Sequence, residues 1–147
     1  MPTDAIAGEP LQLYSISDVR RFSLPVYRDA RGELIPSRAD CLPGPLMRVF
    51  FVLGRDGAVR GEHAHKTCTQ AMICIVGRVA IRCTDGSDDE TFDLAAPGDG
   101  LLVPPTIWSN QVFTGESPMM AVLCDQEYDA DEYIRDWDAF VTFRGQA

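Results

Sequence analysis

Short apolar runs, separated by glycine, proline and aspartate, follow one another along most of the chain. These runs are rich in β-branched and aromatic residues, which favour strands. They are MRVFFVL (47–53), TQAMICIV (69–76), RVAIRC (78–83), TFDL (91–94), LLVP (101–104) and MMAVLC (119–124). The TDGSDDE stretch around Asp85-Gly86 is typical of a hairpin turn. Many short strands with such turns predict an all-β domain built as a barrel or a sandwich.

The pattern differs at the two ends of the chain. LQLYSI (11–16) and FSLPVY (22–27) predict N-terminal strands that precede MRVFFVL, for which the pattern favours a central position in a sheet. Near the C-terminus the apolar period becomes helical, with Asp129 or Asp131 as a possible cap. The residues at helical spacing are Tyr133, Ile134, Trp137, Phe140 and Val141. They predict a short C-terminal helix with a packing stripe rather than a cofactor site.

Length and charge limit what this chain can be. Its 147 residues, 46% of them hydrophobic, predict a single domain over residues 1–147. A net charge of -9 argues against nucleic-acid binding, which needs clustered Lys and Arg. A small phosphorylated ligand can still bind where a few arginines converge.

The cysteines and the apolar runs bear on location. The chain has five cysteines, shows no C-x-x-C spacing and follows no secretory signal. No apolar run approaches the roughly 20 residues of a membrane helix. These features predict a reduced, cytoplasmic protein without a membrane span.

Both histidines of the chain lie in the RGEHAHK stretch. In a strand, His63 and His65 point to one face and Ala64 to the other, so the two imidazoles share one space. Because the pKa of an unperturbed histidine is about 6.5, one member of a close pair can act as a base while the other donates a proton. The alternatives are a metal-binding pair and two structural side chains that line a barrel and are satisfied by Gln70 and water.

The spacing around this pair resembles the first motif of the cupin family, G-x5-H-x-H-x4-E-x6-G. Gly57 and Gly77 stand at its two ends, and Gln70 stands where the glutamate is expected. The second motif, G-x5-P-x-G-x2-H-x3-N, fits in part, with Ser109 at the histidine position. The resemblance implies a small double-stranded β-barrel, or jelly roll.

The two replaced positions bear on metal binding. A cupin metal site uses three histidines and a glutamate, whereas this pattern offers two histidines, a neutral amide and a serine. Divalent metals lose charge compensation and donor atoms in such a set. The sequence therefore predicts no metal, and no other cofactor.

Beyond the cupin motifs, the chain resembles the nucleotide-sugar 3,4-ketoisomerases of the WxcM-like group, which act on dTDP-4-keto-6-deoxyglucose. The matching stretches are DARGEL (29–34), RVFFVL (48–53), RGEHAHKTCTQ (60–70), GLLVPPTIW (100–108) and YDADEYIRDWDAF (128–140). The resemblance implies that His63 and His65 are the catalytic pair and that Arg60 and Lys66 flank them. Which histidine removes the carbon-bound proton stays open.

Further residues are candidates for substrate binding. Arg55 could meet the pyrophosphate, Trp108 could stack on a base or sugar, and Gln70 could line the pocket. Phe51 belongs to the Phe50-Phe51 pair, which stands where the resemblance implies a tyrosine.

The function implied is proton transfer between C3 and C4 of a 4-keto sugar. The C3 hydrogen is α to a carbonyl, so a neutral imidazole can remove it if donors stabilise the enediolate. The alternatives are a metal-dependent cupin enzyme, a nucleotide-sugar epimerase and a non-catalytic sugar-binding module. The resemblance also implies a homodimer, with N-terminal strands such as LQLYSI or FSLPVY exchanged between subunits.

Overall fold

The computed structural model describes residues 11–145. Within this range it contains ten strands and one α-helix. They are β1 (Arg20–Ser23), β2 (Tyr27–Asp29), β3 (Gly32–Leu34), β4 (Arg48–Leu53), β5 (Val59–His65), β6 (Gln70–Thr84), β7 (Asp89–Ala95), β8 (Asp99–Val103), β9 (Trp108–Cys124), β10 (Tyr133–Ile134) and α1 (Trp137–Gly145). The predicted all-β fold with a short C-terminal helix is confirmed.

Two long strands organise the molecule. β6 and β9, of 15 and 17 residues, pair antiparallel, and their register shifts on either side of Val76. Gly77 lies at this point with φ 77°, and a Cβ there would come within 2.8 Å of the Thr114 carbonyl oxygen. Glycine alone tolerates both the positive φ and the close approach of the Thr114 carbonyl. Gly77 therefore permits the register shift at which the two strands bend.

The bend lets each long strand take part in two sheets. The first sheet runs β1, β8, the first half of β6, the second half of β9, and β4. The second runs β7, the second half of β6, the first half of β9, β5, and β10. This is the predicted jelly-roll arrangement, although the hydrogen-bonded path from β1 to β10 does not close into a ring within residues 11–145.

Apolar side chains fill the space between the sheets. Ile81, Leu101 and Phe113 are at most 1% exposed, and they belong to one continuous cluster. A second cluster, which includes Leu42 and Ile73, covers another part of the molecule. Burial of this kind supplies the main driving force for folding.

The ends of the chain depart from the sequence pattern. LQLYSI is not a strand, and MRVFFVL forms β4, which pairs within the described residues only with β9 and is therefore an edge strand rather than a central one. Tyr133 and Ile134 are not helical, since they pair with His65 and Ala64 of β5. Tertiary strand pairing has overridden the local helical period there.

The helix covers the outer side of the second sheet. Phe140 is 0% exposed and packs with Ala64 and Ile134. Arg144 donates to the carbonyl oxygens of Tyr14 at 2.7 Å and Thr106 at 3.1 Å, which anchors the end of α1. No helix among residues 11–145 has the length and apolar character needed to cross a membrane. The prediction of one domain over 1–147 stays a prediction, because residues 1–10 and 146–147 lie outside the described range.

Candidate active site

A bulge in β5 sets the position of the histidines. Gly61 pairs with Asn110 and His63 with Ser109, so Glu62 is the extra residue. Gly61 and Glu62 have φ values of 86° and 58°. A Cβ on Gly61 would approach the Gln111 side-chain oxygen to 2.7 Å, so this position requires glycine. Bulges of this kind redirect the side chains that follow them.

Beyond the bulge, both imidazoles enter one space. The Nε2 atoms of His63 and His65 are 3.2 Å apart, and the rings meet edge to face at 4.9 Å. Ala64, with 0% exposure, points into the apolar cluster beneath α1. The strand alternation therefore places the two rings on the same face, as the sequence predicts.

Glu132 holds His65 from the side opposite His63. Its carboxylate accepts a short hydrogen bond from His65 Nδ1, and it also accepts from the backbone amides of Thr67 at 3.2 Å and Cys68 at 3.3 Å. Burial raises the pKa of Glu132, but the hydrogen bonds from His65 and the two amides outweigh it and lower the pKa overall. An ionised Glu132 keeps the proton of His65 on Nδ1.

His63 has a different electrostatic environment. Burial, followed by repulsion from His65, lowers the pKa of His63 to about 4. Its imidazole is therefore neutral at physiological pH. A neutral imidazole with a free lone pair is the form that can remove a proton from carbon.

His63 lines a cavity of about 200 Å³ between the sheets. The apolar wall consists of Phe50, Val52, Met72, Met120 and Val122. The polar lining residues are Arg60, His63, Gln70, Gln111, Tyr133 and Arg135. An apolar cavity with a few converging polar groups is the usual form of a small-molecule site.

Tyr133 closes one side of this cavity. Its ring centre is 4.4 Å from that of His65 and 5.0 Å from that of His63. Arg48 Nη2 donates to the Tyr133 hydroxyl at 3.3 Å. The Arg135 guanidinium lies 4.3 Å from the centre of the Tyr133 ring, within cation–π range. Tyr133 and Arg135 also line a larger groove of about 770 Å³ outside the cavity.

Of the sequence-predicted binding residues, the structure brings Arg60 and Gln70 to the cavity beside His63. Gln70 is 4% exposed, and its amide nitrogen donates to Cys124 Sγ at 3.5 Å. This hydrogen bond to Cys124 fixes the orientation of the Gln70 amide.

The other four predicted binding residues lie outside the cavity. Phe51 is 64% exposed, because the strand alternation points Phe50 inward instead. Trp108 packs edge to face on Trp137 with ring centres 5.3 Å apart.

The last two are basic. Lys66 follows His65 and lines the outer groove. Arg55 is exposed in the turn after β4, where its carbonyl accepts from the Ala58 amide at 2.9 Å.

Sequence reasoning missed Glu132, Tyr133 and Arg135 as site residues. All three belong to the YDADEYIRDWDAF stretch, where the apolar period indicated a helix. The structure instead forms a 3-10 turn at Ala130–Glu132 and then β10, which turns Tyr133 toward the histidines. Five charged or polar side chains among the seven residues 129–135 were the available signal.

One group of side chains has metal-ligating chemistry. Potential ligand atoms of His65, Cys68 and Glu132 lie within 4.8 Å of one another. The Glu132 oxygens, however, already accept from His65 and two backbone amides. At the position of the second cupin motif, Ser109 pairs with His63, and its hydroxyl accepts from the Gln111 amide at 3.3 Å. The metal-free interpretation stays a prediction.

Comparison with known proteins decides the family. The family model described as WxcM-like, C-terminal, matches residues 17–145. The chain belongs to the WxcM-like family. The family predicted from the RGEHAHK and YDADEYIRDWDAF stretches is thereby confirmed. The matched range includes every site residue described above.

A characterised relative and a solved structure resemble this WxcM-like chain. A TDP-4-oxo-6-deoxy-alpha-D-glucose-3,4-oxoisomerase from Aneurinibacillus thermoaerophilus is 32% identical over 114 residues, which is 76% of this chain and 82% of the relative. The crystal structure of a sugar 3,4-ketoisomerase from Thermoanaerobacterium thermosaccharolyticum in complex with TDP matches with a TM-score of 0.81 and 27% identity, covering 89% of this chain and 97% of that one.

A histidine-to-asparagine mutant of the same Thermoanaerobacterium enzyme, in complex with TDP-4-keto-6-deoxyglucose, matches with a TM-score of 0.80 and 27% identity. It covers 87% of this chain and 94% of that one.

Proposed function

We propose that this protein is a 3,4-ketoisomerase that converts dTDP-4-keto-6-deoxyglucose into the corresponding 3-keto sugar. The observation that carries the proposal is a neutral His63 lining a sugar-sized cavity, backed by His65 and the Glu132 carboxylate. The named activities of its relatives support the same isomerase chemistry.

The reaction needs a base that removes a proton from C3 and an acid that returns a proton to C4. His63 removes the C3 proton, which is acidic because C3 neighbours the C4 carbonyl, and an enediolate forms. His63 then returns a proton at C4, which leaves the carbonyl at C3. The ionised Glu132 carboxylate stabilises the positive charge that His63 carries between these steps, because its negative charge favours the protonated form of His63.

The cavity suits the sugar rather than the whole substrate. At about 200 Å³ it is smaller than the roughly 300–1,000 Å³ of sites for drug-sized ligands. The nucleotide therefore lies outside, and the pyrophosphate meets Arg60 and Arg135 at the cavity. Their local charge offsets the net charge of -9 on the protein. Lys66 and Arg55 remain candidates for contacts farther along the nucleotide.

Incubation with dTDP-4-keto-6-deoxyglucose in deuterated water, followed by NMR of the ring protons, tests the proposal. Deuterium is expected at the carbons that exchange protons, together with the 3-keto product. Exchange at C5 would identify an epimerase instead. Tight binding of the nucleotide sugar without exchange would identify a non-catalytic binding module.

The proposal includes catalysis without a metal. The chemistry transfers protons within the sugar and requires no redox cofactor, and the site offers neutral Gln70 and Ser109 where a cupin metal site has a carboxylate and a third imidazole. Elemental analysis of active protein tests this point. Near-stoichiometric Fe, Mn, Ni or Zn that activity requires would contradict it.

We also propose a homodimer, and an open apolar strand supports it. Val49, Phe51 and Leu53 on one face of β4 are 46%, 64% and 76% exposed. A free sheet edge with an apolar face favours pairing with a second chain. Light scattering should give twice the 16.2 kDa of one chain. Within one chain, β1 pairs with β8, so strand exchange stays a prediction.

The cysteines support the proposal of a reducing, cytoplasmic location. All five are free thiols in the structure. Four of them, namely Cys68, Cys74, Cys83 and Cys124, are at most 1% exposed. Cys68, Cys74 and Cys83 act as small apolar side chains of the core. Cys124 belongs to the same cluster, and its Sγ also accepts from Gln70 and Arg48.

A further inference from the structure

The proposed ketone transfer moves protons on oxygen as well as on carbon. O4 must gain a proton and O3 must lose one, whereas His63 accounts only for the protons on C3 and C4. A second group that can both donate and accept a proton is therefore required beside the sugar.

The described cavity lining leaves one such group. Guanidinium and amide groups do not serve as proton-transfer groups in proteins, which excludes Arg60, Arg135, Gln70 and Gln111. Phe50 and Val52, the inward residues of β4, carry no hydroxyl. Among the described residues that line the cavity, Tyr133 alone bears a hydroxyl.

His65 is not available for this second task. Its Nδ1 donates to Glu132, and its Nε2 is engaged with His63 at 3.2 Å. At 6% exposure it lies behind His63 rather than on the cavity surface.

The surroundings of Tyr133 suit a group that becomes an anion for part of the reaction. Arg48 Nη2 donates to its hydroxyl oxygen at 3.3 Å, and the Arg135 guanidinium lies 4.3 Å from its ring centre. One guanidinium therefore lies at the phenol oxygen and a second over the ring, so two positive charges face the group that gives and takes the proton. The backbone of Tyr133 pairs with His65, so the same strand register positions the phenol and the imidazoles.

We propose that Tyr133 is the acid–base residue for the two substrate oxygens, an assignment that rests on the proposed ketoisomerase function. As His63 takes the C3 proton, the C3–H electron pair forms the C3=C4 bond, the carbonyl π electrons move to O4, and Tyr133 gives its proton to O4. The phenolate then takes the proton of O3, the C3=O bond forms, and His63 returns its proton to C4. Every proton is accounted for, and both residues end as they began.

The test compares Tyr133→Phe with the wild-type protein in deuterated water. Two quantities are followed by NMR: deuterium entering C3 of recovered substrate, and formation of the 3-keto product. The variant should lose about 100-fold or more in kcat, with little change in KM. The ratio of C3-labelled substrate to product should rise, because an intermediate that cannot exchange its oxygen protons returns to substrate.

Tyr128→Phe is the matched control. It removes the hydroxyl of an exposed tyrosine whose ring centre is 5.6 Å from that of Tyr133, and it should behave as wild type. Wild-type kcat and an unchanged ratio in Tyr133→Phe would overturn the assignment while leaving the ketoisomerase function intact. Failure of the wild-type protein to convert substrate would overturn the function itself.

A second variant covers the case in which Tyr133→Phe does not fold, as judged by circular dichroism. Arg48→Gln keeps the phenol and removes the cation that donates to it. It should lower kcat about 10-fold and raise the same ratio. If kcat and the ratio both equal those of the wild type, Tyr133 is not the oxygen acid–base group.

Discussion

Two segments meet at the cavity, and they contribute different chemistry. β5 supplies two imidazoles, one of them neutral because its pKa is lowered to about 4. The tail, residues 129–135, supplies the ionised Glu132, the Tyr133 hydroxyl and the Arg135 cation. β5 provides the base, and the tail provides the charges and the proton donor that allow the base to work.

The two segments are also held differently. β5 pairs with β9 at four registered positions interrupted by the Gly61–Glu62 bulge. Among residues 11–145, the tail has two strand-paired residues, Tyr133 and Ile134, together with the hydrogen bonds to Glu132. Because fewer paired positions hold it, the tail is more easily displaced by substitution than β5. Substitutions in each segment either separate the two contributions or show that the segments act as one.

Removing the base should have the largest effect. His63→Asn keeps a polar side chain of similar size but has no basic nitrogen, so we expect kcat to fall on the order of 10³-fold. Steady-state turnover of dTDP-4-keto-6-deoxyglucose measures the loss. A variant that turns over within tenfold of wild type would show that His63 is not the carbon base.

Removing the tail carboxylate should have a smaller effect. Glu132→Gln loses the negative charge beside His65 and places an amide N–H against backbone donors, so we expect kcat to fall about 100-fold. Asp131→Asn, a change at an exposed neighbouring acid, is the matched control and should leave kcat within about twofold. Equal behaviour of the two variants would remove Glu132 from the site.

The pH profile tests the electrostatics of β5 itself. Only unprotonated His63 acts as a base, and its pKa is lowered from 6.5 to about 4 by burial and by His65. The acidic limb of log kcat/KM should therefore fall through about pH 4 and not through pH 6.5. Circular dichroism over the same range separates loss of the base from acid unfolding. A limb at pH 6.5 in folded protein would contradict the low pKa.

The smallest effect should come from loosening the tail without touching a reacting group. Ile134→Val removes one methylene from a buried contact with Ala64 and Phe140, at a cost of about 0.5–1.5 kcal/mol in the free energy of unfolding. We expect kcat to fall about threefold, because Tyr133 and Glu132 shift with β10.

Ile73→Val, at a site 2% exposed in the first sheet, is the control for this change. Thermal unfolding should show a similar loss of stability, with kcat unchanged. Equal kcat values for the two variants would mean that the tail tolerates displacement.

Local patterns in the sequence were sufficient for the fold class and for the shared position of the two histidines. Strand runs, glycine at the bends and the H-x-H alternation depend on neighbours a few residues apart, and they predict the sheets and the shared face of His63 and His65. The same alternation explains why Phe51, the residue named from the sequence, lies outside the cavity, while its neighbour Phe50 faces it. Nothing in the RVFFVL run indicates which of its two faces is the inner one.

Tertiary structure decided the rest. Tyr133 and Ile134 fit a helical stripe in the sequence, yet they form β10 because pairing with His65 and Ala64 satisfies their backbone and buries Ile134 beneath α1. Glu132 reaches His65 across 67 residues of chain, and no local pattern encodes a contact of that separation. The low pKa of His63 likewise arises from burial and from a neighbouring ring, which exist only after the chain has folded.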